Sequence, residues 1–293
     1  MTRVVPLTLM LGGALAGVAL LALGVSTPRT KTPAPVVEQP KRRSVMDIAA
    51  RVIDYVARGE SKGKFWAQNR NTDGQGLSYG LLQWTQRSGA LGKLLASMYA
   101  ADPVAFAATF GLDAALLLKT TSSPTESVRM SLPLWQEPWT SRFTAAGQVR
   151  AFQVVQAEAA ATGASWQAAL AIAQIFGVWT ERALVLFFDR ANHHGGHGAK
   201  KLANGLKAEL TSSGPIRVSY TDLLARFARA CAAPYRRTSA PAEVTTASGK
   251  TWKKVGAEWH LYAGKADLYA IIVRRTGEIL TDPALDDRAL EVA

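Results

Sequence analysis

Cysteine is almost absent from this sequence, since its 293 residues include only Cys231. A single cysteine excludes a disulfide framework and any zinc site built from several cysteines. Charged residues make up 19% and hydrophobic residues 48%, so the chain is too apolar to be disordered and too charged to cross a membrane many times. It contains no evident internal repeat. One large folded domain or two small ones fit this length.

Acidic residues are also few, with 22 Asp and Glu against 34 Lys and Arg, and the net charge is +12. Such an excess indicates an anionic partner, which could be nucleic acid, a membrane surface or a cell-wall polymer. The sequence contains no basic stripe interleaved with aromatic residues and no recognisable nucleic-acid-binding module. We therefore expect no nucleic-acid partner.

A long, uncharged and strongly apolar stretch runs from Val4 to Val25 near the N-terminus. It is long enough to cross a bilayer as a helix of about 20 residues, whereas the apolar core of a signal peptide is usually only ~7 to 15 residues long. Residues 1–25 are thus predicted to form a transmembrane anchor, with a cleaved signal as the alternative. Residues 26–43, rich in Pro and Thr, are predicted to be a linker to a folded domain at 44–293. Basic residues on both sides of the apolar run leave its orientation open.

Helical patterns dominate residues 44–293. Ser44 and Asp47 have the spacing of a capping box, and apolar residues then follow a helical period up to a C-terminal cap expected at Gly59. Further helices are predicted over 88–99, from Pro103 to a stop at Gly111, and over 220–233.

Two later segments are harder to assign. Residues 165–190 are apolar almost all round, which is typical of a membrane span or of a helix buried in a core. Gln174 and the pair Glu181 and Arg182 favour the buried helix. Residues 252–273 mix aromatic and β-branched residues with glycine, and the pattern leaves helix and strand open. The predicted fold class is mainly α with a small β element.

The densest polar cluster, residues 59–84, holds two carboxylates of interest. Glu60 is expected just past the C-terminal turn of the first helix, where unpaired carbonyl groups disfavour a carboxylate and raise its pKa. Asp73 lies in the turn-forming sequence TDGQG. A proton donor opposite an ionised carboxylate is the arrangement used in glycoside hydrolysis. The alternative is that Glu60 is merely solvated and that Asp73 only forms the turn.

Glu60 together with the segment TDGQGLSYGLLQWTQRSGALGKLL, residues 72–95, resembles the signature of the chitosanase branch of the lysozyme superfamily. The resemblance implies a lysozyme-like (α+β) helical domain. It further implies that Glu60 is the general acid, that Asp73 is the base that activates water, and that Ser78, where the family has Thr, helps to place that water.

Other parts of the chain suggest residues that contact a sugar. Gln83 resembles the cleft-lining Gln of the Gly-Leu-Met-Gln element in lysozyme-like muramidases and lytic transglycosylases. Residues 187–196 (FFDRANHHGG) resemble the family's helix that ends in Asp and is followed by His-Gly. Flat aromatic rings beside the carboxylates suit stacking on sugar faces. The predicted substrate-binding residues are Trp66, Tyr79, Gln83, Trp84, Asp189 and His193.

Three histidines, His193, His194 and His197, lie within five residues, which raises the question of a metal site. His193 and His197 have the i,i+4 spacing of helical ligands, but Gly195 and Gly196 between them are expected to break the helix. No acidic third ligand follows nearby. We therefore predict neither a metal nor a cofactor. We interpret the histidines as residues at the end of a helix, where the helix dipole favours them.

The predicted function is a glycoside hydrolase of the muramidase type that cleaves peptidoglycan. The choice of polymer depends on charge, because chitosan is a polycation, whereas peptidoglycan is anionic and this chain is basic. A chitosanase, or a hydrolase of another amino-sugar polymer, is the first alternative, and a non-catalytic wall-glycan-binding module is the second. We expect the domain to be anchored in the inner membrane facing the periplasm and cell wall, or secreted if the leader is cleaved.

Overall fold

The structure is a computed structural model that describes residues 43–212, 214–241, 244–246 and 249–291. The predicted anchor or signal at 1–25 and the predicted linker, apart from Arg43, lie outside the described residues. Described residues are mainly helical, with two small sheets, as the sequence predicts.

The helices in the described ranges are, in chain order, α1 (Val45–Ser61), α2 (Ala90–Ala101), α3 (Pro103–Phe110), α4 (Ala114–Thr121), α5 (Glu126–Arg129), α6 (Trp139–Ala146), α7 (Arg150–Thr162), α8 (Ala164–Phe176), α9 (Glu181–Thr211), α10 (Tyr220–Ala232) and α11 (Leu268–Thr281). Short 3-10 turns follow α3 and α10.

Both sheets are antiparallel. The first contains β1 (Gln68–Arg70), β2 (Leu77–Tyr79) and β3 (Trp84–Thr85) in that order. The second has the order β4 (Arg236–Arg237), β6 (Glu258–Ala263) and β5 (Thr251–Val255), and β7 (Ala266–Asp267) also pairs with β6. The segment 252–273, which the sequence left open, is therefore a hairpin followed by a helix.

The start of α1 is as predicted, but its end is not. The Ser44 hydroxyl accepts a hydrogen bond from the Asp47 backbone N–H at 3.2 Å, and the Asp47 carboxylate accepts one from the Ser44 N–H at 2.9 Å. The C-terminal cap is Lys62, in the left-handed conformation with φ of 56°, rather than Gly59. Glu60 consequently lies in the last turn of the helix and not beyond it.

The apolar segment 165–190 forms two helices instead of the predicted single buried helix. Gly177 ends α8 in the left-handed conformation with φ of 67°, which glycine adopts without steric cost. Thr180 then caps α9 by accepting a hydrogen bond from the Ala183 N–H at 3.1 Å. The predicted break at the two glycines is confirmed, because Gly195 has φ of 72° and ψ of 149° inside α9.

The core consists of two large apolar clusters. The first joins α1, α8, both halves of α9 and α10, and the second joins β2 with α2, α3, α6 and α7. Trp84 packs against both. A third, small cluster underlies the C-terminal sheet and includes Trp252 and Leu261. These clusters position the elements that carry the polar site described below.

One stretch of the described ranges, Pro103–Thr121, has the length and hydropathy of a membrane span, with 19 residues and a mean hydropathy of 1.3. This is weak evidence for a span, because α3 and α4 are separate short helices on either side of the turn at 111–113. Phe106, Phe110 and Leu117 from this stretch are fully buried in the second cluster.

Candidate active site

A large cleft of about 1370 Å³ brings together most of the residues singled out in the sequence. Its walls come from the end of α1, the first sheet, the α7–α8 turn, the bend of α9 and the C-terminal sheet. Seven of the nine predicted site residues line it: Glu60, Trp66, Asp73, Ser78, Gln83, Trp84 and His193. Their catalytic or binding roles remain predictions.

Glu60 is the buried acid of this cleft, with a side chain only 18% exposed. Its Oε1 accepts a hydrogen bond from Arg275 Nη1 at 2.7 Å and a weaker one from Asn192 Nδ2 at 3.4 Å. Burial raises the pKa of Glu60, the Arg275 guanidinium opposes that rise, and the negative charge of Asp189 adds to it. The net direction is upward, so Glu60 keeps its proton to a higher pH than a solvated carboxyl, as a proton donor requires.

Asp189 does not line the cleft, and its predicted contact with substrate does not fit its position. Its side chain is buried on α9 and forms ion pairs with Arg190 and with Arg275. Arg275 also binds Glu60, so its guanidinium lies between the two carboxylates and Asp189 helps to keep it in contact with Glu60. A buried charge of this kind needs such partners to offset the loss of its hydration.

Asp73 lies in a tight turn that the neighbouring side chains hold together. Its own Oδ1 accepts a hydrogen bond from the Gln75 N–H at 3.1 Å. The Asn71 side chain accepts one from the Gly76 N–H at 2.8 Å, and Asn69 accepts one from the Thr72 N–H at 3.1 Å. Asp73 therefore forms the turn and also lines the cleft, so that the two sequence interpretations are compatible.

Ser78 lies in the middle of a polar row across the first sheet. It pairs in register with Asn69 on β1 and with Thr85 on β3, and all three residues line the cleft. The Ser78 side chain thus belongs to the sheet surface that faces the cavity. A hydroxyl on such a surface can orient a water molecule by hydrogen bonding.

Tyr79 does not line the cleft, although it was predicted to bind substrate. Successive residues of a strand point to opposite faces, and Tyr79 is fully buried with its ring 4.8 Å from that of Phe143. Burial raises the pKa of its hydroxyl. Its position is that of a core residue beneath the sheet.

The remaining residues predicted to contact substrate line the cleft, and part of each side chain also contacts neighbouring protein groups. The Gln83 amide donates hydrogen bonds to the carbonyls of Gly80 at 2.9 Å and Ala67 at 3.2 Å. Trp66 and Trp84 are half-buried, and Trp84 also packs against both core clusters. Each leaves part of an aromatic surface for a sugar ring.

The bend of α9 places His193 and His194 beside Tyr235 at one side of the cleft, with ring centroids 5.2 to 5.7 Å apart. Tyr235 Oη lies 3.3 Å from His194 Nδ1. Burial, followed by the charge of Arg190, lowers the pKa of both imidazoles, that of His194 to about 4. Within the described ranges, no group of three or more His, Cys, Asp or Glu side chains is arranged to hold a metal ion.

The cleft itself carries an excess of positive charge. The sequence shows only the net charge of the whole chain, not where the basic residues lie. Among its lining residues, the acidic ones are Glu60 and Asp73, and the Lys and Arg residues are Lys62, Lys64, Arg70, Lys93 and Lys250. Within the described residues, none of these five cations forms an ion pair with a carboxylate. The open cleft surface is therefore positive beside a buried acid.

Two partners of Glu60 were not predicted as site residues. Asn192 lies within the FFDRANHHGG segment, next to the histidines, and that motif was the signal that could have identified it. Arg275 is on α11, more than 200 residues away in sequence, and no local pattern distinguishes it from its neighbour Arg274.

Comparison with known proteins gives a likeness to solved chitosanases. No protein-family model matches the chain, and no curated protein matches it significantly. A native chitosanase from Bacillus subtilis MY002 is similar at a TM-score of 0.45 and 15% identity, over 63% of this chain and 75% of that one. A GH46 chitosanase of Gynuella sunshinyii in complex with chitotetraose is similar at 0.47 and 18%, over 64% and 75%. These proteins are chitosanases, the family that residues 60 and 72–95 resemble, and their similarity to this chain assigns no role to any residue.

Proposed function

We propose that this protein is a glycoside hydrolase that cleaves an anionic amino-sugar polymer of the peptidoglycan type. The observation that carries the proposal is the presence in one cleft of Glu60, a largely buried carboxyl with a raised pKa, and Asp73, a carboxylate on a turn held by hydrogen bonds. Two carboxyl groups in unlike surroundings can take the roles of acid and base in the same reaction.

In the proposed reaction, Glu60 donates its proton to the glycosidic oxygen as the bond from that oxygen to the anomeric carbon breaks. Asp73 accepts a proton from a water molecule whose oxygen forms the new bond to the anomeric carbon. Ser78 orients that water from the sheet surface. Arg275 and Asn192 hold Glu60 through Oε1, which leaves Oε2 for the proton.

The choice of polymer is supported by the five cleft cations that lack a carboxylate partner. Chitosan carries a positive charge on most of its sugars, and a surface with five cations repels it. Peptidoglycan carries lactyl and peptide carboxylates, which such a surface attracts. Chitosan hydrolysis remains the alternative, and the substrate experiment below distinguishes the two.

The experiment compares peptidoglycan, chitosan and neutral chitin oligosaccharides as substrates of the full chain, with release of reducing ends as the readout. We expect peptidoglycan to be cleaved fastest and the preference to weaken as salt screens the charges. Exchange of Arg70 and Lys93 for Gln should lower the rate on peptidoglycan severalfold and leave the rate on neutral oligosaccharides unchanged. Faster cleavage of chitosan than of peptidoglycan would refute the polymer assignment but would leave the hydrolase assignment in place.

We also propose that the apolar run at 4–25 tethers the domain at the outer face of the inner membrane, within reach of the cell wall. The basis is the length of this run and the Pro-rich spacer that follows it. Protease treatment of intact spheroplasts that express the full chain tests the orientation. Digestion of the domain is expected, and protection would place it in the cytoplasm, away from peptidoglycan.

A further inference from the structure

A short stretch near the C-terminus contacts both sides of the cleft. The turn between β6 and β7 contains Gly264, whose backbone packs directly on the turn that carries Asp73. Farther along the same stretch, Arg275 of α11 binds Glu60. The stretch 264–275 therefore connects the two carboxylates that the proposed reaction uses.

The contact at Gly264 leaves no room for a side chain. A Cβ atom at this position would lie 2.2 Å from the carbonyl oxygen of Thr72 and 3.9 Å from the Cα of Asp73. The first distance is far below van der Waals contact. Gly264 also has φ of 59°, in the region that favours glycine. Close backbone approach and backbone conformation thus both require glycine here.

Hydrogen bonds hold the chain on both sides of this contact. On one side, Asn69 holds Thr72 through hydrogen bonds to its backbone N–H at 3.1 Å and to its hydroxyl at 2.7 Å. On the other side, Asp267 caps α11 by accepting a hydrogen bond from the Ala270 N–H at 3.0 Å and lies 2.8 Å from His260 Nδ1. A side chain at Gly264 would therefore have to displace the carbonyl of Thr72, next to Asp73.

The hairpin that carries Gly264 is also continuous with the cleft wall. Ala263 and Leu268, on either side of the turn, line the cleft and are buried in the small cluster with Trp252. These two buried residues attach the turn to its own sheet, and the backbone of the turn lies against Thr72. The C-terminal sheet therefore supports the turn that carries Asp73.

We propose that Gly264 is a positioning residue, which fixes the Asp73 carboxylate in the cleft through the backbone contact with Thr72. The proposal rests on the proposed function, since it takes Asp73 as the group that activates water. It gives the C-terminal sheet a role that its sequence did not suggest. A misplacement of about 1 Å at a catalytic group can cost roughly 100-fold in rate, so that a small shift of the turn is sufficient.

The test is Gly264→Ala, with Gly256→Ala as a matched control. Gly256 lies in the turn between β5 and β6 and has φ of 60°, but a Cβ there would meet nothing within 4 Å. Both substitutions impose the same backbone strain in the same sheet, and only one disturbs Thr72. We expect Gly264→Ala to lower kcat by about 10- to 100-fold relative to the control, with KM changed by less than about threefold.

A second readout does not depend on turnover. In the NMR spectrum of the full chain, Gly264→Ala should shift the backbone amide signals of Asp73 and Gly74, and Gly256→Ala should leave them in place. Equal kcat values in the two variants, or unshifted amides, would overturn the positioning role and leave the hydrolase assignment intact. Failure of the unmodified protein to cleave any of the three polymers would overturn the proposed function and this inference with it.

Discussion

Replacement of Arg275 by Met is expected to move the alkaline limb of the pH–rate profile to higher pH. The guanidinium lies 2.7 Å from Glu60 and favours its ionised form. When that cation is removed, Glu60 retains its proton to a higher pH, and the proton is what a general acid must carry. The alkaline limb of kcat/KM reports the acid of the free enzyme, so it should shift with the pKa of Glu60.

The size of the shift follows from the geometry. The charge centres of a hydrogen-bonded guanidinium and carboxylate lie about 4 Å apart, and at an effective dielectric constant near 20 they interact with about 4 kcal/mol, which corresponds to about 3 pH units before further screening. The side chains of Arg275 and Glu60 are 13% and 18% exposed, so solvent screens part of this interaction. We expect a shift of about 1 to 2 pH units, within the range seen for such pairs.

The assay is the pH dependence of kcat/KM on soluble glycan fragments of peptidoglycan. Arg275→Lys keeps a cation and should shift the limb less, which provides a test if the Met variant folds poorly after losing a partly buried charge. Arg274→Met is the matched control, because Arg274 is on the same helix but is exposed and pairs with Glu278 at 2.9 Å. An unmoved limb in both Arg275 variants, or a shift to lower pH, would refute the assignment of Glu60 as the titrating acid.

Three further predictions concern the base and the fold. Asp73→Asn should lower kcat at least ~100-fold and Ser78→Ala less, because the hydroxyl only helps to orient water; a larger loss in Ser78→Ala would mean that Asp73 only forms the turn. Ser44→Ala should lower the free energy of unfolding by about 1 kcal/mol, measured by urea denaturation, through loss of the capping box, and no change would contradict that geometry. Phe187→Ala, a fully buried ring in the first core cluster, should cost about 3 to 5 kcal/mol in the same assay; a loss under 1 kcal/mol would argue against that packing.

Local signals in the sequence were sufficient for much of the fold. The capping box at Ser44, the helix from Pro103 to its stop at Gly111 and the break at Gly195 depend on a few neighbouring residues, and each was predicted correctly. The end of α1 and the division between α8 and α9 were predicted wrongly. In both cases a left-handed residue, Lys62 or Gly177, ends the helix where hydrophobic periodicity gives no indication.

The candidate site was only partly predictable, because some of its residues are neighbours in sequence and others are not. Glu60, Asp73 and Ser78 lie within one short segment, so that a motif could group them. Arg275 and Gly264, near the C-terminus, contact Glu60 and the Asp73 turn, and only tertiary packing brings them there. Tyr79 and Asp189 were assigned to the substrate because of their neighbours in sequence, whereas strand alternation and helix facing turn both side chains into the core.

The central claim is that Glu60 protonates a glycosidic oxygen while solvent water attacks the sugar. The most direct measurement incubates the full chain and its Glu60→Gln variant with purified peptidoglycan in heavy-oxygen water and identifies the released ends by mass spectrometry. The account predicts that the unmodified protein releases fragments with one solvent oxygen at each new reducing end, and that the Gln variant releases at least ~100-fold fewer. Fragments without solvent oxygen, or equal release by the two proteins, would contradict it.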